Sequence, residues 1–306
     1  MYAMRMTYAT AISHDGTPIA YGTVGEGPGL ILVPGALALA RDFDPLAYAL
    51  ADHFTVHTIE RRGRGESGDR EDAYSIDREC EDVAAVQALT GATNLFGHSF
   101  GGLVALEAAL RLPAFTKVAV YEPGVSIEGS VPIDWVPRSR KELAGGRGLD
   151  AFVTFARGIN PTTTGKLPCP LLKLILLASM RKEERRQKYQ LLPTALREHV
   201  EAARLDGDHH RYSDITSDVL LMAGGKGPTA DSAETLARLL PVLPQAHLIV
   251  LPRLDHFGPE KEPGEIASSV SAFLRQPAAP AGGGARPRSS RARPPGGAAG
   301  CSVAAG

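Results

Sequence analysis

Residues 94–102 read NLFGHSFGG, a short apolar run ending in a serine, with Gly97 two positions before it and Gly101 two positions after. What flanks this stretch sets its meaning. NLF at 94–96 has strand character, LVALEAALRL at 103–112 is a strong helix former, and Pro113 ends it. A serine directly after a strand and directly before a helix must sit on a sharp, strained turn. Side chains two residues to either side would collide there, and glycine at both places removes the clash. The following helix brings its first amide groups close to the serine, which favours developing negative charge on oxygen. Ser99 therefore reads as a nucleophile on an elbow. The structural alternative is a serine N-cap in a glycine-rich turn; a strand and a helix on the correct sides favour the nucleophile.

Outward from this point the chain alternates. TYATAIS and PIAYGTV, joined by a turn containing Asp15-Gly16, predict a hairpin. LILV at 30–33 is a short buried strand ending in Pro34-Gly35, and Phe43, Leu46, Ala47 and Leu50 recur at helical spacing. FTVHTI at 54–59 is a strand that runs into the polar loop ERRGRGESGD. A helix is predicted from Ser75 to Leu89, with Ile76, Val83, Val86 and Leu89 on its apolar face and Gly91 as its stop. KVAVYEP, VLLMAGG and HLIVLP supply three more strands, and helices LARLL and EIASSVSAFLRQ follow the last two. Strand–helix alternation implies right-handed crossovers, so the expected fold is α/β: a mostly parallel eight-stranded sheet with helices on both faces. Between Gly124 and about Asp214 the alternation stops and only helical patterns appear. The expected organisation is a core of residues 1–123 and 216–275, a helical cap of residues 124–215 over one end of the sheet, and a disordered Pro/Gly/Arg-rich tail of residues 276–306.

Composition bounds the function. The 306 residues are 43% hydrophobic and 22% charged, as in a globular protein. A net charge of -1 gives no electrostatic case for nucleic acid or an anionic membrane. The four arginines of the tail, without aromatics, are a weak nucleic-acid signal. Cys80, Cys169 and Cys301 are odd in number and widely spaced, which predicts reduced thiols in a cytoplasmic protein. The N-terminus lacks the pattern of a secretory signal, and the longest apolar stretch, LLKLILLASM at 171–180, is too short to span a bilayer. A monomer or homodimer acting on a small molecule is expected. The ERRGRGESGD loop lacks the lysine and the glycine spacing of a phosphate-binding loop, so Arg62, Gly63, Gly65 and Ser67 read as loop architecture. No metal-ligand spacing occurs and no cofactor is implied.

GHSFGG, VPGA after the third strand, IERRGRGESGD after the fourth and LDHFGPEKEP near the end together resemble the α/β-hydrolase superfamily, in particular its lidded serine esterase and haloperoxidase-like members. The resemblance covers about residues 7–275. It implies a base that takes the proton of Ser99. Of the nine histidines, His256 lies after the final strand at the carboxyl end of the sheet and in the position of that superfamily's late histidine. His98 is expected to pack under the turn, pointing away from Ser99, and the other seven read as surface or packing residues.

Most members place the triad acid a few residues past the seventh strand, but here that turn reads GGKGPTAD, with Gly227 or Pro228 where the carboxylate is expected. Asp231 is one candidate, late in the turn and also a possible helix cap. Glu122, after the sixth strand, is the other and is ranked first; its structural alternative is an ion pair with an arginine of the cap. Two amides should cradle an oxyanion: that of Phe100, and that of Ala36 or alternatively Leu37 in the loop after LILV. Leu37, Trp135 and Phe155, with Phe152 and the LLKLILL run, would wall an apolar substrate pocket. The implied chemistry is hydrolysis of a small to medium ester, thioester or lactone through an acyl-enzyme. Cofactor-free perhydrolysis, carbon–carbon bond hydrolysis and a non-catalytic ligand-binding role are the alternatives.

Overall fold

The structure is a computed structural model that describes residues 4–69, 74–226 and 232–277. Its strands are β1 (Thr7–Ile12), β2 (Pro18–Val24), β3 (Gly29–Val33), β4 (Thr55–Ile59), β5 (Asn94–His98), β6 (Lys117–Tyr121), β7 (Asp218–Gly224) and β8 (Ala246–Leu251). They form one sheet in the order β1-β2-β4-β3-β5-β6-β7-β8. β1 and β2 pair antiparallel, β2 pairs antiparallel with β4, and the other neighbours are parallel. The helices are α1 (Asp44–Leu50), α2 (Ile76–Thr90), α3 (Phe100–Arg111), α4 (Val136–Ala144), α5 (Gly148–Ile159), α6 (Cys169–Ser179), α7 (Lys182–Arg204), α8 (Ser232–Leu239), α9 (Gly258–Lys261) and α10 (Pro263–Leu274).

The apolar strands are buried on both faces, and their alternate side chains divide between two cores. Ile31, Val33, Val118, Val120 and Leu221 pack with α2, α3 and α8 on one face. Leu30, Leu32, Ala119, Tyr121 and Met222 pack with α1 and α10 on the other. This period of two explains why the central strands read as unbroken hydrophobic runs. α2 is closed at both ends by local chemistry: the Ser75 hydroxyl accepts from the Arg78 amide, and Gly91 ends the helix at φ 65°. Leu89 departs from expectation, being 63% exposed. The buried stripe of α2 is Ile76, Cys80, Val83 and Val86, and the helix turns Leu89 away from the sheet in its last turn.

Two features of this topology place the site. The strand order reverses between β3 and β5, which both run the same way beside each other, and crevices in open α/β sheets form at such a switch point outside the carboxyl ends. The register aligns those ends: Val33 lies opposite Gly97, His98 opposite Tyr121, and Tyr121 opposite Met222. The segments beginning at Pro34, Ser99 and Glu122 therefore emerge side by side.

Between β6 and β7 the chain carries α4 to α7 and no strand. Trp135, Phe152, Phe155, Leu191, Leu192 and Leu196 of this helical segment form a third cluster, which includes Leu37 from the loop after β3. Of the LLKLILL run, expected to contribute to this wall, only Leu176 packs against the cluster, and it is partly buried. Only Leu172 of α6 is buried, whereas Leu171, Leu174, Ile175 and Leu177 are exposed. Among the described residues no helix is long and apolar enough to cross a membrane.

Candidate active site

Ser99 occupies a backbone conformation that L-residues avoid, φ 54° and ψ -123°, which costs on the order of 1–3 kcal/mol. The elbow holds because glycine lets the chain close around it. A β-carbon on Gly97 would lie 2.3 Å from the Gly101 carbonyl oxygen, and one on Gly101 would lie 2.2 Å from that of Val33. The Ser99 amide donates to the Tyr121 carbonyl at 2.9 Å, while its own carbonyl accepts from Gly102, Leu103 and Gly124. Its side chain makes no capping hydrogen bond to α3, so the N-cap alternative fails. The hydroxyl lies instead 3.1 Å from His256 Nε2.

His256 comes five residues after β8, on a loop held from beneath. Tyr121 donates its hydroxyl to the Asp255 carbonyl at 2.7 Å, and His98 Nε2 lies 2.8 Å from the His256 carbonyl. His98 thus packs under the turn as its neighbours predict, with its ring 4.8 Å from that of His256. On the far side, His256 Nδ1 is 2.6 Å from Glu122 Oε2, and the other oxygen of Glu122 accepts from the Gly224 amide at 2.9 Å. Glu122 is buried and makes no ion pair with arginine among the described residues. A carboxylate only accepts, so the Nδ1 proton faces it and Nε2 presents its lone pair to the serine hydroxyl. Glu122 reaches this place with φ 44°, and Leu37, after β3, has φ 57°. Three of the four non-glycine residues with positive φ among the described residues are Leu37, Ser99 and Glu122, which places the strain at one edge of the sheet. The other candidate acid, Asp231, lies outside the described residues, as do Gly227 and Pro228.

The loop after β3 closes the space beside Ser99: a β-carbon on Gly35 would come within 3.1 Å of the Ser99 β-carbon. Among the described residues no hydrogen bond runs from the amides of Ala36, Leu37 or Phe100. These three donors are left for another acceptor. Trp135 and Phe155 are buried in the cluster that holds Leu37, with ring centroids 5.4 Å apart and His199 against both.

Chemistry that the sequence pattern did not single out surrounds this constellation. Arg61 and Arg64 are buried behind Gly35, and each sends a guanidinium nitrogen to its carbonyl at 3.4 Å. Glu79 grips Arg61 through both oxygens, at 2.6 and 3.1 Å, and Glu198 of α7 bonds both arginines. Burial works against the Arg61 charge, but Glu198 and Glu79 outweigh it and hold the guanidinium more firmly protonated than usual. The expected loop architecture is seen in Arg62, bound twice to Asp82 at 2.7 Å, and in Ser67, which accepts the Ala20 amide at 2.9 Å. Glu260 of α9 stands beside His98 Nδ1, at 3.6 Å, and burial pushes its carboxyl up to about 7. The same burial, together with the charge of His256, keeps the His98 imidazole well below its ordinary value and hence neutral.

The sequence profile of the alpha/beta hydrolase family matches residues 30–269. The chain belongs to that family. A family member from Sphaerobacter thermophilus, solved as an alpha/beta hydrolase, is 34% identical and superimposes with a TM-score of 0.73, covering 87% of this chain and all of the other. The 2-(acetamidomethylene)succinate hydrolase of Mesorhizobium japonicum is 25% identical over 270 residues, spanning 82% of this chain and 89% of its own length. The pimeloyl-[acyl-carrier protein] methyl ester esterase of Stenotrophomonas maltophilia is 40% identical, but over 96 residues that make up only 36% of that enzyme. An esterase from Rhodococcus, 20% identical with a TM-score of 0.65, shares the fold.

Proposed function

We propose that the protein is a serine hydrolase in which Ser99 is the nucleophile, His256 the general base and Glu122 the triad acid. The observation that carries this reading is the unbroken chain from the Ser99 hydroxyl to His256 Nε2 at 3.1 Å and from His256 Nδ1 to Glu122 at 2.6 Å. His256 takes the hydroxyl proton as the serine oxygen bonds to the substrate carbonyl carbon. The resulting oxyanion is received by the free amides of Phe100 and of Ala36 or Leu37, and α3 adds the positive end of its dipole. Collapse expels the alcohol, which leaves with the proton from His256. Water, deprotonated by the same imidazole, then cleaves the acyl-enzyme. Glu122 holds the imidazole tautomer and stabilises the imidazolium in each half-reaction.

The substrate class we assign is a small to medium ester, thioester or lactone with an apolar portion, bounded by the wall of Leu37, Trp135 and Phe155. Residues 124–215 act in this reading as a cap over the site, and the unpaired thiols of Cys80 and Cys169 fit a cytoplasmic location. Carbon–carbon bond hydrolysis would use the same three residues, since only the leaving group differs. A fluorophosphonate probe is expected to label Ser99, with labelling abolished in His256→Ala. A folded protein that resists the probe would instead be a non-catalytic member of its family. Product analysis separates ester hydrolysis from the alternatives: an ester panel run with and without added hydrogen peroxide is monitored for acid against peracid, and a ketone panel for the carboxylic acid released by carbon–carbon cleavage.

A further inference from the structure

The loop carrying the Ala36 and Leu37 amides is held from two sides, and one of those sides is α7. Beneath it, Arg61 and Arg64 take the carbonyls of Pro34 and Gly35. Above it, Lys188 Nζ donates to the Leu37 carbonyl at 2.8 Å. The adjacent residue, Gln187, donates to Asp42 Oδ2 at 3.1 Å, and that same oxygen accepts the Leu39 amide at 2.9 Å. Two consecutive side chains of one helix thus clasp the loop at a carbonyl and, through Asp42, at an amide two residues on. The clasp falls where it is needed. Leu37 has φ 57°, a conformation a branched side chain does not adopt unless its surroundings enforce it. No backbone hydrogen bond of the loop interior secures it, because the Ala36 and Leu37 amides have no acceptor among the described residues. A charge-assisted bond to the Leu37 carbonyl is the strong contact available to fix that peptide.

On the serine-hydrolase reading above, we propose that Lys188 is a positioning residue: it locks the strained Leu37 peptide, and through it the amides that receive the oxyanion. Placing this lock on α7 makes the helical segment between β6 and β7 part of the catalytic geometry as well as a wall. A helix that shifts away takes Lys188, Gln187 and Glu198 with it, and loosens the loop at the upper clasp and at the Arg64 counter-ion together. Lys188 does not touch the substrate; it acts through Leu37.

The test compares wild type, Lys188→Met and Lys188→Arg, using fluorophosphonate labelling of Ser99 and steady-state kinetics on the best ester of the panel. Removing an oxyanion donor outright lowers kcat on the order of 10²–10³-fold, so a displaced one should cost about 10–100-fold. The expectation for Lys188→Met is that loss in kcat and in labelling rate, KM within about threefold, and an unchanged melting temperature. Lys188→Arg, which keeps the donor, should recover most of the rate. Wild-type kcat in Lys188→Met overturns the proposal, as does a loss that Lys188→Arg fails to recover or one carried by KM alone. A wild type that never labels overturns the hydrolase reading itself, an outcome distinct from either.

Discussion

Glu122→Gln probes the proposed triad acid most sharply, because both carboxylate oxygens already accept. One oxygen faces His256 Nδ1 at 2.6 Å and the other receives the Gly224 amide at 2.9 Å. Glutamine is nearly the same shape but can accept on only one side. With its oxygen toward His256, its NH₂ group confronts the Gly224 N–H, donor against donor in a buried site, at a cost of about 1–3 kcal/mol. Flipped, the NH₂ faces Nδ1 and selects the tautomer in which Nε2 carries the proton, so the Ser99 hydroxyl loses its acceptor. Either way the buried negative charge that stabilises the imidazolium is gone. Loss of the correct tautomer in comparable triads lowers kcat about 10⁴-fold, equivalent to about 5 kcal/mol of barrier. We therefore expect Glu122→Gln to lose on the order of 10³–10⁴ in kcat on a p-nitrophenyl ester, and to melt lower, while Glu122→Asp retains intermediate activity. Retention of activity within tenfold of wild type, with a large loss in Asp231→Asn instead, would refute the assignment.

Three further outcomes follow from the geometry. Ser99→Gly should be inactive toward ester and probe yet about 1 kcal/mol more stable than wild type by chemical denaturation, since glycine relieves the strain at φ 54°. Gly101→Ala, whose β-carbon would meet the Val33 and Pro34 carbonyl oxygens at 2.2 and 2.4 Å, should lose activity and at least about 3 kcal/mol of stability, because both clashes are with backbone. Glu260 has a carboxyl raised from 4.5 to about 7, so the native state holds a proton that the unfolded chain has released, and stability falls as pH rises through that window. Glu260→Gln should remove this loss: its unfolding free energy by chemical denaturation should match wild type below pH 4.5 and exceed it at pH 8 by an amount on the order of 3 kcal/mol. A gap that does not widen with pH would refute burial of the ionised form as the cause.

Much of this was legible one segment at a time. Gly97 and Ser99 announce the elbow because the clash that Gly97 avoids, with the Gly101 carbonyl, lies within a few residues of the serine; Gly101 fits the same pattern, but the backbone it makes room for is that of Val33 and Pro34, at the end of a neighbouring strand. The strand runs were readable because each is buried on both faces, and Ser75 and Gly91 mark the ends of α2 by local backbone chemistry. Two readings that rested on the apolar pattern alone failed. Leu89 and the exposed leucines of α6 are spaced like core residues, but spacing does not tell how far a helix extends beyond the surface it packs on.

By itself the sequence determined the order of elements, the tight turn at Ser99 and the end of the sheet at which it lies, since these rest mainly on interactions between near neighbours in the chain. Which groups would surround the serine was decided by tertiary structure. His256 and Glu122 are 134 residues apart and meet only because parallel pairing brings the end of β6 level with the loop after β8. Lys188 reads as one more charge in a basic helix until α7 is laid across the loop after β3. Arg61, Arg64 and Glu198 likewise look like solvated charges and are instead buried together beneath Gly35. The physical reason is that charge pairing and orientation act through space over a few ångströms, and distances of that kind between remote segments exist only once the sheet has fixed its register.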